Sequence, residues 1–149
     1  MCGIGLVYCN EINPVKISLI ARNELTNRGP TWTTEKFNES IYLHQSVLAI
    51  QSDAFKLDKR INKIDFNKES KHTLYNGEIF TSERLSNKGD FETLRQINDI
   101  GKLETFLKTV DGMFSLIKLE FRSGNFEVNA FRDVIGEKRL YYYFNKNKR

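Results

Sequence analysis

The sequence predicts an α+β domain built in layers. Three observations carry that prediction: short β-favouring runs bounded by turn residues, amphipathic helical runs between them, and a late strand–turn–strand pattern. Residues 2–8 are apolar and β-favouring, and the turn residues of 10–14 interrupt them, which makes a first strand. Asn13 suits a helix cap with Pro14 at the first helical position. Ile17, Ile20, Ala21 and Leu25 then recur at helical spacing until Gly29-Pro30 stops the run, so this helix has one buried face. Residues 41–43 and 47–50 are β-like, and the polar, lysine-rich piece 51–70 reads as a surface loop or insertion. Residues 72–75 form a strand that runs into Asn76-Gly77, a dipeptide favouring the positive φ angles of a tight turn, so a loop is expected there. Asp90 caps a helix over 91–100 with Leu94 and Ile97 inward, and Leu103, Phe106, Leu107 and Val110 space a second helix after Gly101. Past Asp111-Gly112 the period changes: 113–121, Ser123-Gly124-Asn125 and 126–132 read as a hairpin, and 140–144 as a further strand. No internal repeat is visible.

A chain of 149 residues is the usual size of one domain, and 40% hydrophobic with 28% charged residues excludes disordered and fibrous classes. The net charge of +4 comes from Lys146, Lys148 and Arg149 and from lysines scattered among acidic residues over 56–71. No basic stripe with interleaved aromatics forms, which argues against a nucleic-acid module. Cys2 and Cys9 cannot build a disulfide framework, and no metal-ligand spacing joins them to His44 or His72, so a reducing compartment and no metal site are expected. The start of the chain has no basic region followed by an apolar run, and no stretch approaches the ~18 apolar residues of a membrane span. A cytoplasmic protein is expected.

Cys2 has the largest chemical consequence. Removal of Met1 would leave a cysteine whose own α-amino group sits beside its thiol. An α-amine titrating near ~7.7–8.0 is a competent base at neutral pH for a thiol near ~8.5, so no histidine is required. The plain alternative is a small apolar residue opening a buried strand.

Cys2 gains meaning beside Arg28-Gly29-Pro30, Tyr75-Asn76-Gly77-Glu78-Ile79, Gly89-Asp90-Phe91-Glu92, Asp111-Gly112-Met113-Phe114 and Arg132-Asp133-Val134-Ile135-Gly136. In order and spacing these resemble the glutaminase domain of class II glutamine amidotransferases, the N-terminal-nucleophile fold. The Cys-Gly-Ile start and Asn-Gly-Glu-Ile segment point to the asparagine synthetase branch. The resemblance implies an αββα sandwich of antiparallel sheets and a type-2 amidotransferase domain over 1–149, short of the last part of the family's domain and without a synthetase domain. It implies that the Cys2 thiol attacks the side-chain amide of glutamine, releasing ammonia and leaving a thioester that water hydrolyses to glutamate. The ammonia would serve amide transfer in asparagine biosynthesis. The Asn76 amide and Gly77 N–H would hold the oxyanion, and Glu78, Asp90, Val47, Leu48 and Ile50 would line the substrate site, with Asp90 on the glutamine ammonium. Arg28, Arg132 and Asp133 take structural roles. No cofactor is implied for this chain; ATP and magnesium enter only with an associated synthetase domain or subunit, the expected ammonia acceptor. The plain readings stand beside these: Asn76-Gly77 as a β-turn, and Asp90 as a helix cap, a role compatible with substrate contact.

The pattern departs at Leu43-His44-Gln45-Ser46-Val47-Leu48-Ala49-Ile50, where the family has His-x-Arg-Leu-Ala/Ser-Ile and its arginine grips the glutamine α-carboxylate. Aligning Leu48-Ala49-Ile50 on that pattern puts Val47 in the arginine's place, and no arginine occurs between Arg28 and Arg60. Thr31 stands where aspartate is common. Both departures look like the divergent asparagine synthetase domain-containing proteins, and they keep open a second class of function: a weak or inactive amidotransferase-like module with an interaction or regulatory role. His44 and His72 read as structural, Cys9 as a buried inert thiol, and Phe114, Phe121, Phe126, Phe131 and the aromatics of 141–144 as core.

Overall fold

Alternation along one strand, Ile41–Val47, sets the layers of the molecule. Every residue of this strand is buried, because both of its faces are covered. Ile41 and Leu43 face a second sheet, packing with Leu74, Ile117, Leu119 and Phe121 in one core cluster. Tyr42, His44 and Ser46 lie on the other face, in register with Val7, Gly5 and Gly3 of the neighbouring strand, where Leu25 of the first helix packs close against Gly3 and Gly5. His44 is satisfied there, its Nε2 2.7 Å from Ser46 Oγ and its Nδ1 3.3 Å from Tyr42 Oη; its role is structural.

This computed structural model describes residues 2–9, 13–29, 32–48, 62–63, 69–80 and 89–143. In chain order the elements are β1 (Gly3–Tyr8), α1 (Pro14–Leu25) with a 3₁₀ turn (Thr26–Arg28), β2 (Trp32–Phe37), β3 (Ile41–Val47), β4 (Asn62–Lys63), β5 (Ser70–Ile79), α2 (Asp90–Gln96), α3 (Ile100–Leu107), β6 (Gly112–Arg122) and β7 (Asn125–Arg132). Among the described residues one sheet has the order β1-β3-β2-β4 and the other β5-β6-β7. Pairing is antiparallel except for the short β2–β4 contact, which is parallel. Helix α1 covers the first sheet. Phe91, Leu94 and Leu103 of α2 and α3 cover the second, packing on Tyr75, Ile79, Phe114 and Leu116. The result is α+β, with two sheets between helical layers. No described helix is long and apolar enough to cross a membrane.

Local signals that needed no distant partner agree with the structure. Asn13 caps α1, its Oδ1 accepting from Val15 N at 2.9 Å. The hairpin closes on Ser123 and Gly124, both at positive φ (49° and 80°), between the paired Arg122 and Asn125. Other expectations are corrected. Asn76-Gly77 is not a turn; it lies inside β5, paired with Ser115 and Phe114 in a ladder that continues to Ile79. Strand β3 runs unbroken through Gln45 and Ser46, while 49 and 50 lie outside the described residues. Trp32–Phe37 forms a strand that its polar composition conceals. Within 51–70, only 62–63 and 69–70 are described, and Asn62–Lys63 and Ser70 are strand. Ile20 is exposed rather than inward. Residues 140–143 form no strand, and Tyr141, Tyr142 and Tyr143 are 79–85% exposed rather than core. Their β propensity has no partner strand among the described residues to act on.

The helix expected over 91–100 divides in two. Ile97 turns extended, and Asp99 caps α3 by accepting from Lys102 N at 2.7 Å. Asp90 occupies the first helical position, with Gly89 as the cap. The carbonyls at the end of α2 are met by Lys118 of β6, whose Nζ donates to Leu94 O at 2.5 Å and Ile97 O at 3.1 Å. A second lock holds the end of the hairpin. Buried Asp133 accepts from the N–H groups of Gly136 and Glu137 on Oδ1 and of Lys138 and Phe114 on Oδ2, at 2.5–3.2 Å.

Both locks make stability depend on pH. Burial alone would raise Asp133, but the N–H groups of Lys138, Glu137, Gly136 and Phe114 outweigh it and hold the carboxyl below its usual range. A carboxylate depressed by folding stabilises above its unfolded value of ~3.9 and loses that contribution as pH falls through the folded value. Asp133→Ala should cost about 3 kcal/mol in urea unfolding at neutral pH and flatten the acid limb of the stability curve. Lys118 is pushed down to about 8, chiefly by burial, then by Lys71 and Arg95, against an opposing Glu120. Between that value and the unfolded ~10.4, the unfolded chain carries the extra proton, so stability should rise with pH over that window by on the order of 1 kcal/mol per unit. Unfolding titrated from pH ~7.5 to ~9.5, below tyrosine ionisation, should show the rise in the parent protein and lose it in Lys118→Met.

Candidate active site

Cys2 stands one step before β1, and strand alternation puts its side chain on the face of Ile4 and Leu6, toward the second sheet. The thiol is half-buried. The β1–β3 register ends at Gly3 opposite Ser46, so its continuation sets Cys2 across from Val47. Val47 is 2% exposed and Leu48 half-buried. Gly29 packs on the backbone of Ser46 and Val47 so closely that any Cβ there would overlap it. That contact seats the 3₁₀ turn against the end of β3 and leaves Arg28 exposed.

The other half of the site lies on β5. Asn76 and Glu78 pair with Ser115 and Met113 and share the inter-sheet face with Leu74 and Ile117. Asn76 is buried, and among the described residues none is hydrogen-bonded to its side-chain amide. Ser115 Oγ, on the facing residue, is likewise buried without a partner among the described residues.

Gly77 is held in a conformation that only glycine tolerates, at φ +150°, where a Cβ would overlap Met113 O and stand 2.5 Å from Phe114 Cα. Its facing residue Phe114 turns its backbone the other way: Phe114 N donates to Asp133 Oδ2 at 3.2 Å and Phe114 O accepts from Asp133 N at 2.9 Å. In an antiparallel ladder a residue turned away from its partner leaves that partner without a ladder bond. The Gly77 N–H therefore faces the outer edge of β5. On the same edge the Tyr75 carbonyl accepts from Gln45 Nε2 at 3.2 Å, and Ile79 N reaches Asp90 Oδ2 at 3.4 Å.

Asp90 gathers the end of this edge. Its Oδ2 accepts from Tyr75 Oη at 2.7 Å and its Oδ1 from Phe91 N at 2.8 Å. The Tyr75 phenol is driven far above its ordinary range, first by burial, then by the charge and hydrogen bond of Asp90, with smaller contributions from Glu78 and Cys2. Cys2, Glu78 and Asp90 thus all act within electrostatic reach of one buried side chain, although they come from both sheets and a helix. The chemistry available is a thiol just before β1, an amide and a backbone N–H able to stabilise an oxygen anion, and carboxylates suited to an ammonium.

Of the residues singled out by sequence, Cys2, Asn76, Gly77, Glu78, Asp90, Val47 and Leu48 fall in this region, while Ile50, Thr31 and Pro30 lie outside the described residues. Sequence reasoning missed Tyr75 and Gln45. Gln45 carried a signal: it is a polar residue at an inward position of an otherwise apolar alternation with Ile41, Leu43 and Val47.

The chain is similar to several enzymes named asparagine synthetase [glutamine-hydrolyzing]: 32% identical over a 158-residue alignment to that of Zea mays, and 32% over 152 to the second of Arabidopsis thaliana. It is 30% identical over 154 residues to the root enzyme of Pisum sativum. No family model matches the chain, and no solved structure matches it. Each of these alignments covers 95% of this chain and 25% of the relative, so the chain spans about a quarter of the length of the asparagine synthetases it resembles.

Proposed function

We propose that this chain is the glutamine-hydrolysing part of an asparagine synthetase-type amidotransferase, with the N-terminal-nucleophile αββα arrangement and the 1–149 segment as its type-2 amidotransferase domain. The observation that carries the reading is the outward-facing Gly77 N–H beside the Asn76 amide, which has no hydrogen-bond partner among the described residues, on the sheet that faces Cys2. The relatives' names, which include glutamine hydrolysis, support it.

In the proposed reaction Met1 is removed and the freed α-amine of Cys2 takes the thiol proton. The sulfur attacks the carboxamide carbon of glutamine, and the C=O electron pair moves onto oxygen, where the Asn76 amide and Gly77 N–H receive it. The tetrahedral intermediate collapses with cleavage of the C–N bond, the terminal ammonium returns its proton to the leaving nitrogen, and ammonia departs. A water, deprotonated by the same amine, then opens the thioester to glutamate and restores the thiol. Asp90, with Glu78, receives the substrate α-ammonium, and Val47 and Leu48 line the remainder of the pocket. This half-reaction draws on no cofactor. The ammonia acceptor, with its ATP and magnesium, belongs to an associated synthetase part.

One observation favours the weaker module. The residue across from Cys2 is a buried valine, and a missing charge-assisted contact to the α-carboxylate would weaken glutamine binding by about tenfold to a hundredfold. Because that contact is remote from the amide carbon, its loss should appear as a raised KM with a less affected kcat. Steady-state ammonia release against glutamine concentration separates the readings: saturable turnover at high KM supports a working glutaminase, and no turnover in protein with a free Cys2 terminus supports the non-catalytic module.

Two outcomes follow from the mechanism. Protein retaining Met1, whose Cys2 nitrogen is an amide without a basic lone pair, should hydrolyse no glutamine, while the processed form should; equal rates, with intact mass recorded for both, would refute the terminal-amine mechanism. Asn76→Ala should lower kcat by about a hundredfold or more, as loss of an oxyanion donor does, with KM changed little.

A further inference from the structure

Tyr75 stands where the two halves of the site meet. Its ring is 3% exposed and packs with Ile79, Phe91, Leu94 and Leu103, its carbonyl receives the Gln45 amide from the first sheet, and its hydroxyl donates to Asp90. Asp90 is half-buried at the first position of α2, and its two oxygens accept from Tyr75 Oη, Phe91 N and, at longer range, Ile79 N. The two backbone donors adjoin Asp90 on the second sheet and α2. The phenol belongs to a residue that is also tied to the Cys2-bearing sheet, through the Gln45 amide.

We propose that Tyr75 is a positioning residue for substrate recognition: held by Gln45 on one side and bonded to Asp90 on the other, it sets the Asp90 carboxylate at a fixed distance from the sheet of Cys2. An amino-acid amide can then place its α-ammonium on Asp90 and its carboxamide carbon at the thiol in one pose. This rests on Asp90 as the ammonium partner. Burial and the neighbouring carboxylates keep the phenol protonated, so it is a lasting donor that polarises and orients Asp90 without competing for the ammonium. Removing the hydroxyl leaves the ring packing intact but leaves Oδ2 with only the longer Ile79 N contact, so the carboxylate is held less firmly in its rotamer. The cost should therefore fall on ammonium binding and not on the attack at the amide carbon.

The test measures glutamine binding by calorimetry in processed protein carrying Cys2→Ala, and turnover with Cys2 intact, in the parent, Tyr75→Phe, Asp90→Asn and the double variant. Tyr75→Phe should bind glutamine about five- to tenfold more weakly, with KM raised by a similar factor and kcat nearly unchanged. The effect should shrink sharply in the Asp90→Asn background and for glutaramate, the analogue that lacks the α-ammonium. Gln45→Leu, which breaks the cross-sheet bond without touching the phenol, should weaken glutamine binding in the same direction. Unchanged glutamine affinity in folded Tyr75→Phe would overturn the proposal, as would a loss that persists in full with Asp90→Asn or with glutaramate. A parent protein that neither binds nor hydrolyses glutamine would overturn the underlying reading of the site, an outcome distinguishable from the first because it appears before any substitution is made.

Discussion

The site depends on how Phe114 is held. Asp133 takes both backbone groups of that residue, and its carboxylate is fixed in turn by the N–H groups of Gly136, Glu137 and Lys138. Because Phe114 is turned toward Asp133, Gly77 across the ladder has no bond to make with it, and the Gly77 N–H points to the outer edge of β5. A backbone-to-carboxylate contact at the far side of the sheet thereby determines which donors point to the near side. Buried N–H and C=O groups must be paired, so turning one toward an edge requires its neighbour to be satisfied elsewhere. The motif Arg132-Asp133-Val134-Ile135-Gly136 has its physical function here, with Asp133 as the anchor and Gly136 as one of its donors.

A second constraint joins the sheets. Apolar packing of Ile41, Leu43, Leu74, Ile117, Leu119 and Phe121 holds them face to face but does not select a lateral position, since apolar contacts are non-directional. Gln45 does, through a single directional bond to the Tyr75 carbonyl. A buried amide that failed to find its partner would cost about 1–3 kcal/mol, so alternative alignments of the sheets that break this bond are penalised. Cys2, near the end of the strand paired with β3, and Asn76, next to Tyr75, inherit that registration. The site is consequently assembled from segments more than seventy positions apart, Cys2 and Asn76.

That distance explains what the sequence made legible and what it did not. The 123–124 turn, the Asn13 cap and the helical spacing of Leu103, Phe106 and Leu107 are local, and residue type alone announces them. Asn76-Gly77 shows the limit: the dipeptide favours a turn in isolation, but the β5–β6 ladder offers a hydrogen-bonded and packed alternative that outweighs the local preference. The aromatic run 141–143 fails in the opposite sense, because β-favouring residues become a strand only beside another strand. The candidate site residues are named through resemblance, motif by motif. Their arrangement is not, because nothing in the composition of β3 or β5 says that Gln45, on the sheet of Cys2, bonds the Tyr75 carbonyl. In the sequence Tyr75 is only the end of a strand and the first residue of the Tyr75-Asn76-Gly77-Glu78-Ile79 motif, and its hydroxyl gains meaning only once Asp90 is found beside it.

The central claim is that Cys2 lies in a site shaped for an amino-acid amide, and that its reactivity comes from that site. Treatment of the folded, processed protein with 6-diazo-5-oxonorleucine, which presents an electrophilic carbon where the glutamine amide carbon would sit, followed by peptide mass mapping, tests it most directly. Cys2 should be labelled, glutamine should protect it, and Cys9 should remain unmodified, because reactivity follows recognition and thiolate character. Equal labelling of Cys2 and Cys9, or no label on Cys2 in a folded sample with a free terminus, would contradict the account.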